Sequence, residues 1–113
     1  MHVTRYRNAK PYDAPGHHDV IGLRLQGHDV SPTRCCWVGL SHYLPEGCAD
    51  SNVSDAEKIY VVLSGEITVT TDQEEVTLGV LDSCYLAAGE RRSIANRSTL
   101  PASMLVIMGY PPP

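Results

Sequence analysis

The sequence predicts an all-β protein of one domain, built as a sandwich or a barrel. Short segments rich in β-branched and aromatic residues follow one another closely, and glycine, proline or polar turn residues separate them. No stretch of about a dozen residues combines a helical period with capping residues at its ends. The length of 113 residues suits one domain with a single core.

The first 18 residues are predicted to form an arm, and residues 19–113 the β domain. Pro11, Pro15 and Gly16 interrupt this polar segment and disfavour regular structure within it. We expect the arm to contact a partner subunit or to cover a sheet edge, because an open edge invites unwanted strand pairing.

Seven apolar segments are the predicted strands or strand pairs, and they lie at 20–27, 34–44, 57–71, 74–82, 83–90, 92–98 and 102–110. The second ends at the turn residues Pro45 and Gly47, since proline cannot donate to a ladder. The third is divided at Gly65 into two strands of a hairpin.

Charge and hydropathy exclude several functional classes. The formal net charge is −4, whereas nucleic-acid-binding domains usually carry a basic face. No apolar run approaches the roughly 20 residues that span a bilayer. The first 20 residues contain no apolar core of a secretory signal. We therefore predict a cytoplasmic protein that binds neither nucleic acid nor membrane.

The four cysteines are predicted to be reduced thiols. Cys35 and Cys36 are adjacent in a predicted strand and are expected to face opposite sides of it. The absence of an export signal disfavours disulfides. No CxxC or paired Cys/His spacing predicts a structural zinc site.

Three consecutive pieces of the chain resemble the cupin superfamily. YVVLSGEITVTTDQEEVTL resembles its central hairpin, LDSCYLAAGERRSIANRS its second motif, and ASMLVIMGYP its closing strand. The resemblance extends over about residues 40–110. It implies a jelly-roll β-barrel, commonly a homodimer, with a pocket inside for a small-molecule ligand.

The resemblance places Asn52, Ser54, Lys58 and Arg92 where the family usually holds a metal ion with three histidines and a glutamate. Divalent metals in such sites need neutral imidazoles and carboxylates. Lys58 and Arg92 are cations at neutral pH and only donate hydrogen bonds. We therefore expect the usual metal site to be absent, and predict no cofactor.

An alternative is a divalent transition metal held by relocated histidines. His18, His28 and His42 would have to converge, with the arm crossing the barrel mouth. His17 is a poor second ligand beside His18, because adjacent side chains on an extended chain point apart.

Strand alternation extends the candidate site. If Lys58 faces inward, as the family's ligand at that position does, Tyr60 and Val62 face inward too. The resemblance also implies that His42 lies inside, where the family usually has apolar residues. Trp37 lies on the opposite face of that strand, and we expect it to pack against the arm or at a dimer contact.

These positions yield a scheme for an anionic or oxygenated substrate. The predicted catalytic residues are His42, Lys58 and Tyr60, and the predicted substrate-binding residues are Arg92, Asn52 and Ser54. An arginine binds a carboxylate through two bonds, and a lysine stabilises an oxyanion or acts as base or nucleophile. Histidine and tyrosine relay protons.

A purely structural role remains an open alternative for Lys58, Arg92 and His42. Lys58 could pair with a glutamate at the barrel mouth, or a slip of one residue could turn Glu57 inward instead. Arg92 lies beside Arg91 in a predicted turn and could be a solvated charge. His42 could be a hydrogen-bonded core histidine.

The leading functional hypothesis is a metal-independent small-molecule cupin that catalyses proton transfer, as in isomerase, lyase or cyclase reactions. The first alternative is a ligand-binding or sensory barrel without turnover. The second is a metal-dependent enzyme that uses the relocated histidines.

Overall fold

Nine antiparallel strands make up most of the part of the chain that the computed structural model describes, residues 1–111. They are β1 Lys10–Tyr12, β2 His17–Gln26, β3 Cys36–Val53, β4 Lys58–Ser64, β5 Ile67–Thr71, β6 Glu75–Leu78, β7 Ser83–Leu86, β8 Arg91–Ala95 and β9 Ala102–Gly109. One turn of 3-10 helix, Tyr6–Asn8, precedes them. Among the described residues, no helix has the length and apolar character needed to cross a bilayer. The predicted all-β fold is confirmed.

The strands form one continuous sheet in the order β6-β5-β8-β3-β9-β4-β7, with β2 and then β1 added beside β3. The two ends of this order, β6 and β7, approach each other across a cavity that both strands line. The sheet therefore curls into a nearly closed barrel of the jelly-roll type, with a seam between β6 and β7.

The predicted end of β3 at Pro45 is wrong, because the strand continues past it. The first half of β3 pairs with β2 and β9, and residues 48–53 pair with β8. Between the halves Glu46 adopts φ +69°, and a Cβ on Gly47 would lie 2.6 Å from the Asp19 carbonyl oxygen. Pro45 is tolerated because the pairing register shifts in this stretch, so the ladder needs no N–H from it.

The segment before residue 19 contributes strand structure of its own. Residues 10–12 pair with β2, and β2 itself begins at His17. This pairing covers one edge of the sheet, which is one of the two roles expected for the arm. The division of the chain into an arm of residues 1–18 and a barrel of residues 19–113 stays a prediction, and residues 112–113 lie outside the described part.

The predicted hairpin of β4 and β5 is wrong as a pairing, because β4 pairs with β7 and β9 whereas β5 pairs with β6 and β8. The alternation along β4 and the break at Gly65 do follow the predicted pattern. Tyr60 and Val62 share the inner face of β4 and are buried, whereas Ile59 lies on the outer face and is exposed. Gly65 separates the strands with φ +70°, and a Cβ there would lie 2.6 Å from the Pro101 carbonyl oxygen. Only glycine satisfies both constraints without strain, so the predicted break is confirmed.

Asn96 ties the loop after β8 to the middle of β3. Its side chain is buried, and its amide nitrogen donates to the carbonyl oxygens of Tyr43, Leu44 and Leu100. Its Oδ1 accepts from the backbone N–H and the hydroxyl of Ser98. The side chain therefore satisfies several backbone groups that the irregular stretch of β3 leaves unpaired.

Asn96→Ala is expected to lower the free energy of unfolding by about 3 kcal/mol, because buried polar groups lose their partner. Urea unfolding measures this change. The matched control is Asn52→Ala, since Asn52 is exposed and, within residues 1–111, its side chain bonds only to the adjacent Val53 N–H. The control should change stability by less than about 0.5 kcal/mol. Equal losses in both variants would contradict this account of Asn96.

Candidate active site

A cavity of about 220 Å³ lies inside the barrel. Side chains of β2, β3, β4, β8 and β9 line it, together with residues of the segment from Tyr12 to His17. Lys58, Tyr60 and Arg92 all border this space, and we call these three residues the polar cluster. The structure therefore brings three of the six predicted site residues together.

Lys58 and Tyr60 project inward from β4, as strand alternation predicts. Lys58 is 4% exposed and Tyr60 is 2% exposed. The alternative of a one-residue slip is wrong, because Glu57 is exposed and accepts a hydrogen bond from the Tyr85 hydroxyl outside the cavity. Within residues 1–111, Lys58 forms no ion pair with any carboxylate, which also removes the alternative of pairing at the barrel mouth.

Arg92 reaches the cavity from β8 and is held in place by two bonds. Its Nε donates to the Tyr60 hydroxyl at 3.0 Å, and its Nη1 donates to the Asp50 carbonyl at 2.9 Å. Arg92 is buried whereas Arg91 beside it is exposed, so the alternative of a solvated charge at position 92 is wrong.

Burial and charge shift the acidity of the polar cluster. Burial, and secondly the Arg92 charge, lower the pKa of Lys58 to about 8. Burial raises the pKa of Tyr60, and the charge and hydrogen bond of Arg92 partly oppose this rise. Lys58 is therefore a cation at neutral pH that gives up its proton far more readily than an ordinary lysine.

Replacing Lys58 by methionine is expected to stabilise the fold at pH 7. The pKa of Lys58 is about 8 in the folded state, against 10.5 for an ordinary lysine, so the unfolded chain binds the proton more tightly. The destabilisation is complete below about pH 8 and disappears as the pH rises towards 10.5. It amounts to about 3 kcal/mol at most.

Denaturant unfolding at several pH values measures this effect. The stability advantage of Lys58→Met over wild type should narrow between pH 8 and pH 10. Lys58→Arg is the matched control, because it keeps a charge that does not titrate in this range. A wild-type protein as stable as Lys58→Met at pH 7 would contradict the lowered pKa.

The expectation that His42 lies inside the barrel is wrong. The face of β3 that lines the cavity carries Trp37, Ser41 and Tyr43, so His42 points to the other side. There its Nδ1 lies 2.7 Å from the Ser103 hydroxyl and its Nε2 lies 3.0 Å from the Tyr6 hydroxyl. Alternation from Trp37 to Tyr43 is regular, so the error lies in the inward phase that the family resemblance implied for His42.

Asn52 and Ser54 do not line the cavity. Asn52 is exposed, and its Oδ1 accepts from the Val53 N–H. Ser54 is half-buried, and its hydroxyl accepts from the Ala56 N–H. Their predicted role in substrate binding has no contact in the cavity to support it.

The residues at the four usual ligand positions of the barrel do not fit a divalent metal ion. Two of them, Lys58 and Arg92, are hydrogen-bond donors that carry positive charge, and a divalent ion needs lone pairs from its ligands. Within residues 1–111, no three His, Cys, Asp or Glu side chains are grouped to hold a metal.

The histidines proposed for a relocated metal site lie in different places. His18 bonds to the Asp50 carboxylate at 3.0 Å, and His28 packs against Trp37 with ring centroids 5.0 Å apart. His42 faces the outer side of β3. The structure therefore does not bring these three imidazoles to one point.

Sequence reasoning missed Arg24, which β2 places in the cavity wall. Its guanidinium carbon lies 4.4 Å from the ring centre of Tyr12 and 5.3 Å from that of Trp37. Alternation along the predicted strand 20–27 puts Arg24 on one face with Gly22, and that pattern was a usable signal. Trp37 packs against the arm through Tyr12, as expected.

The cysteines are free thiols in the structure. The expectation that Cys35 and Cys36 point apart is wrong, because their sulfur atoms lie 3.9 Å from each other. β3 begins only at Cys36, so strand alternation does not apply to Cys35.

A second cavity, of about 310 Å³, lies at the seam between β6 and β7. Buried apolar side chains such as Leu78 and Leu86 line it, together with the carboxyl-bearing Glu74 and Glu90. None of its described lining residues is basic. The two cavities thus differ in charge. The barrel cavity is lined by the cations Arg24, Lys58 and Arg92 and by the carboxylate Asp13, whereas the seam cavity has carboxylates and no described cation.

Comparisons with known proteins place the chain in a family. Residues 40–108 match the family model described as a cupin domain. A beta-D-galactosidase of Mycobacterium tuberculosis is 48% identical over 111 residues, which cover 98% of this chain and 96% of that protein.

Solved structures show the same fold. The polyketide cyclase RemF from Streptomyces resistomycificus superimposes with a TM-score of 0.87 at 17% identity, covering 100% of this chain and 82% of that one. A predicted oxalate decarboxylase from Thermotoga maritima superimposes with a TM-score of 0.79 at 18% identity, covering 96% of this chain and 98% of that one.

Proposed function

We propose that this chain, which belongs to the cupin family, is a small-molecule enzyme that hydrolyses a β-galactoside in the barrel cavity without a metal ion. The observation that carries the proposal is Lys58, a buried lysine that faces the cavity with a pKa of about 8 and has no ion-pair partner within residues 1–111. The substrate class rests on the galactosidase of Mycobacterium tuberculosis, with which the chain shares 48% identity.

Lys58 serves as the general acid in this scheme. An ammonium group with a pKa of about 8 is mostly protonated at neutral pH and transfers its proton readily. The proton passes from Nζ to the glycosidic oxygen while the bond from that oxygen to the anomeric carbon breaks. Arg92 holds the Tyr60 hydroxyl beside this position, where both groups can bond to substrate hydroxyls.

The attacking water needs a base, and Asp13 is the only carboxylate among the described residues that line the cavity. The water oxygen bonds to the anomeric carbon and Asp13 takes the water proton, so that galactose and the free alcohol are formed. Asp13 is exposed and exchanges its proton with solvent, which also reprotonates Lys58.

Aromatic walls support the choice of a sugar. Trp37 and Tyr12 border the cavity with their rings at a centroid distance of 6.1 Å. Such rings offer an apolar face for the C–H side of a sugar and a polar atom at the edge. The volume of about 220 Å³ is below the usual range for drug-sized ligands, so it suits about one sugar ring.

Hydrolysis of a chromogenic β-galactoside tests the proposal. The protein is produced in a host that lacks its own β-galactosidase, and the corresponding α-galactoside and β-glucoside serve as controls. Release of the chromophore from the β-galactoside is the expected result. Failure to hydrolyse it, or equal hydrolysis of all three compounds, would refute the proposed specificity.

A second candidate is metal-free isomerase, lyase or cyclase chemistry on an anionic, oxygenated substrate. The specific observation in its favour is the accumulation of Arg24, Lys58 and Arg92 at one cavity, since cations stabilise enolates and carboxylates. Exchange of a substrate C–H proton with D₂O, followed by NMR, tests it. Binding without exchange or product would instead favour a ligand-binding or sensory barrel.

Chelator treatment is expected to leave the activity unchanged, because no proposed step uses a metal. Elemental analysis of untagged protein should find every transition metal well below one ion per chain. Loss of activity that one added divalent ion restores would support the metal-dependent alternative instead.

A homodimer and a cytoplasmic location also stay predictions.

A further inference from the structure

Arg24 is a cation in the cavity wall that lacks a complete set of partners. Within residues 1–111, its Nη1 is the one buried side-chain nitrogen or oxygen atom without a hydrogen bond. A buried donor left unpaired costs free energy that a bound acceptor recovers. Arg24 as a whole is half-buried and borders the cavity, so its guanidinium is a candidate partner for an acceptor on a ligand.

The charge of Arg24 is also uncompensated within the described residues. Asp13 lines the same cavity, and Asp29 lines a neighbouring one together with Arg24, but neither forms an ion pair with it. The other charged groups at the barrel cavity are the cations Lys58 and Arg92. The local potential at Arg24 therefore favours an anion.

The neighbouring cavity strengthens this potential. It has a volume of about 300 Å³, lies between the N-terminal segment and β2, and is lined by Arg5 and Lys10 as well as Arg24. Tyr12 and Arg24 line both cavities, so they form the wall between them. Positive charge thus surrounds the Arg24 end of the barrel cavity from two sides.

The side chain of Arg24 is oriented before any ligand arrives. Its guanidinium lies 4.4 Å from the ring centre of Tyr12 and 5.3 Å from that of Trp37. Contact of this kind uses the face of the guanidinium and not its N–H groups. An oxyanion with two oxygen atoms matches that geometry.

We propose that the galactoside carries an anionic group, a carboxylate or a phosphate, that binds Arg24 between Tyr12 and Trp37. The proposal rests on the function proposed above and names its substrate class as an acidic galactoside. In this arrangement Arg24 holds the acidic group, and Lys58 remains free to act on the glycosidic oxygen.

Fluorescence titration tests the proposal, since Trp37 is the only tryptophan of the chain and lines the cavity. Galactose, galacturonate and galactose 6-phosphate are the ligands compared. At least one acidic sugar should bind about 10- to 100-fold more tightly than galactose, as expected for charge-assisted hydrogen bonds. Tighter binding of galacturonate identifies a carboxylate, and tighter binding of the 6-phosphate identifies a phosphate.

Variants of Arg24 test whether this residue causes the preference for acidic sugars. Arg24→Gln should abolish it, while Arg24→Lys should retain part of it, because lysine keeps the charge but not the planar fork. Arg97→Gln is the matched control, since Arg97 is exposed and pairs with Glu75 on the surface. Circular dichroism confirms that each variant is folded.

If Arg24→Gln fails to fold, the salt dependence of sugar binding by the wild-type protein tests the proposal instead. Added salt should weaken binding of the acidic sugar and leave binding of galactose unchanged. Equal binding of acidic and neutral sugars, a preference that survives in Arg24→Gln, or no binding of either acidic sugar would overturn the proposal.

Failure of this inference is distinguishable from failure of the proposed function. Hydrolysis of neutral galactosides without any preference for acidic sugars would leave the function standing and refute the anion site. An Arg24-dependent preference without hydrolysis of any galactoside would refute the function and confirm the anion site.

Discussion

Replacement of Lys58 by methionine is expected to reduce kcat/KM for β-galactoside hydrolysis by about 100- to 10,000-fold, the usual contribution of a general acid. Methionine fills similar space but carries no proton to transfer. Lys58→Arg should be impaired almost as strongly, because its charge remains while its proton does not leave near neutral pH. Comparison of the two variants separates proton transfer from electrostatic binding.

Glu90→Gln is the control variant for this prediction. Glu90 lines the seam cavity, and glycosidases commonly use two carboxylates. The variant should retain wild-type activity. Loss of activity in Glu90→Gln, with Lys58→Met still active, would place the reaction at the seam beside Glu74 and Glu90 and would refute the role of Lys58.

Arg92→Gln is expected to shift the pH dependence of kcat/KM to higher pH and to lower its maximum about 10- to 100-fold. A general acid works only while protonated, so wild-type activity should fall above the Lys58 pKa of about 8. Arg92 is the second cause of that lowered pKa, and its removal raises the pKa towards the ordinary lysine value. Burial, the larger cause, keeps it below that value.

The lower maximum follows from the loss of the bond between Arg92 Nε and the Tyr60 hydroxyl, which leaves a buried phenol without its partner. Arg91→Gln is the matched control, since Arg91 is the adjacent residue and is exposed. Its pH profile should match wild type. An alkaline limb that stays in place in Arg92→Gln, or moves to lower pH, would contradict the coupling between Arg92 and Lys58.

Alternation of inward and outward side chains was sufficient to predict the buried face where a strand is regular. Lys58, Tyr60 and Val62 share one face of β4 in the sequence pattern, and all three are buried in the structure. Gly65 marked the end of that strand for a steric reason that the structure confirms. The alternation depends on neighbours in the chain, which a sequence displays directly, whereas the close approach at Gly65 is to the distant Pro101.

The predictions for β3 failed for two reasons. His42 was assigned to the interior from the family resemblance, whereas the regular alternation from Trp37 to Tyr43 puts it on the other face. The continuation of β3 past Pro45, with a register shift between Tyr43 and Cys48, could not be read from residue types. The family resemblance assigned Asn52 and Ser54 to ligand positions of the motif, but it could not show which groups surround them in this chain. These two residues are at former ligand positions, yet neither borders the cavity.

The wall formed by Tyr12, Arg24 and Trp37 depends on contacts between distant parts of the chain. Tyr12 belongs to a strand of three residues next to Pro11, where the sequence predicts an irregular arm. Its pairing with β2 brings the ring over Arg24. Sequence patterns do not encode such a contact, because it arises from the tertiary pairing of a segment with weak strand propensity.

A crystal structure with a bound galactoside would show whether the substrate reacts in the barrel cavity. We expect the sugar ring inside the barrel, between Trp37 and the polar cluster, with its glycosidic oxygen within hydrogen-bond distance of Lys58 Nζ. A sugar bound at the seam between β6 and β7, with the barrel cavity empty, would contradict it.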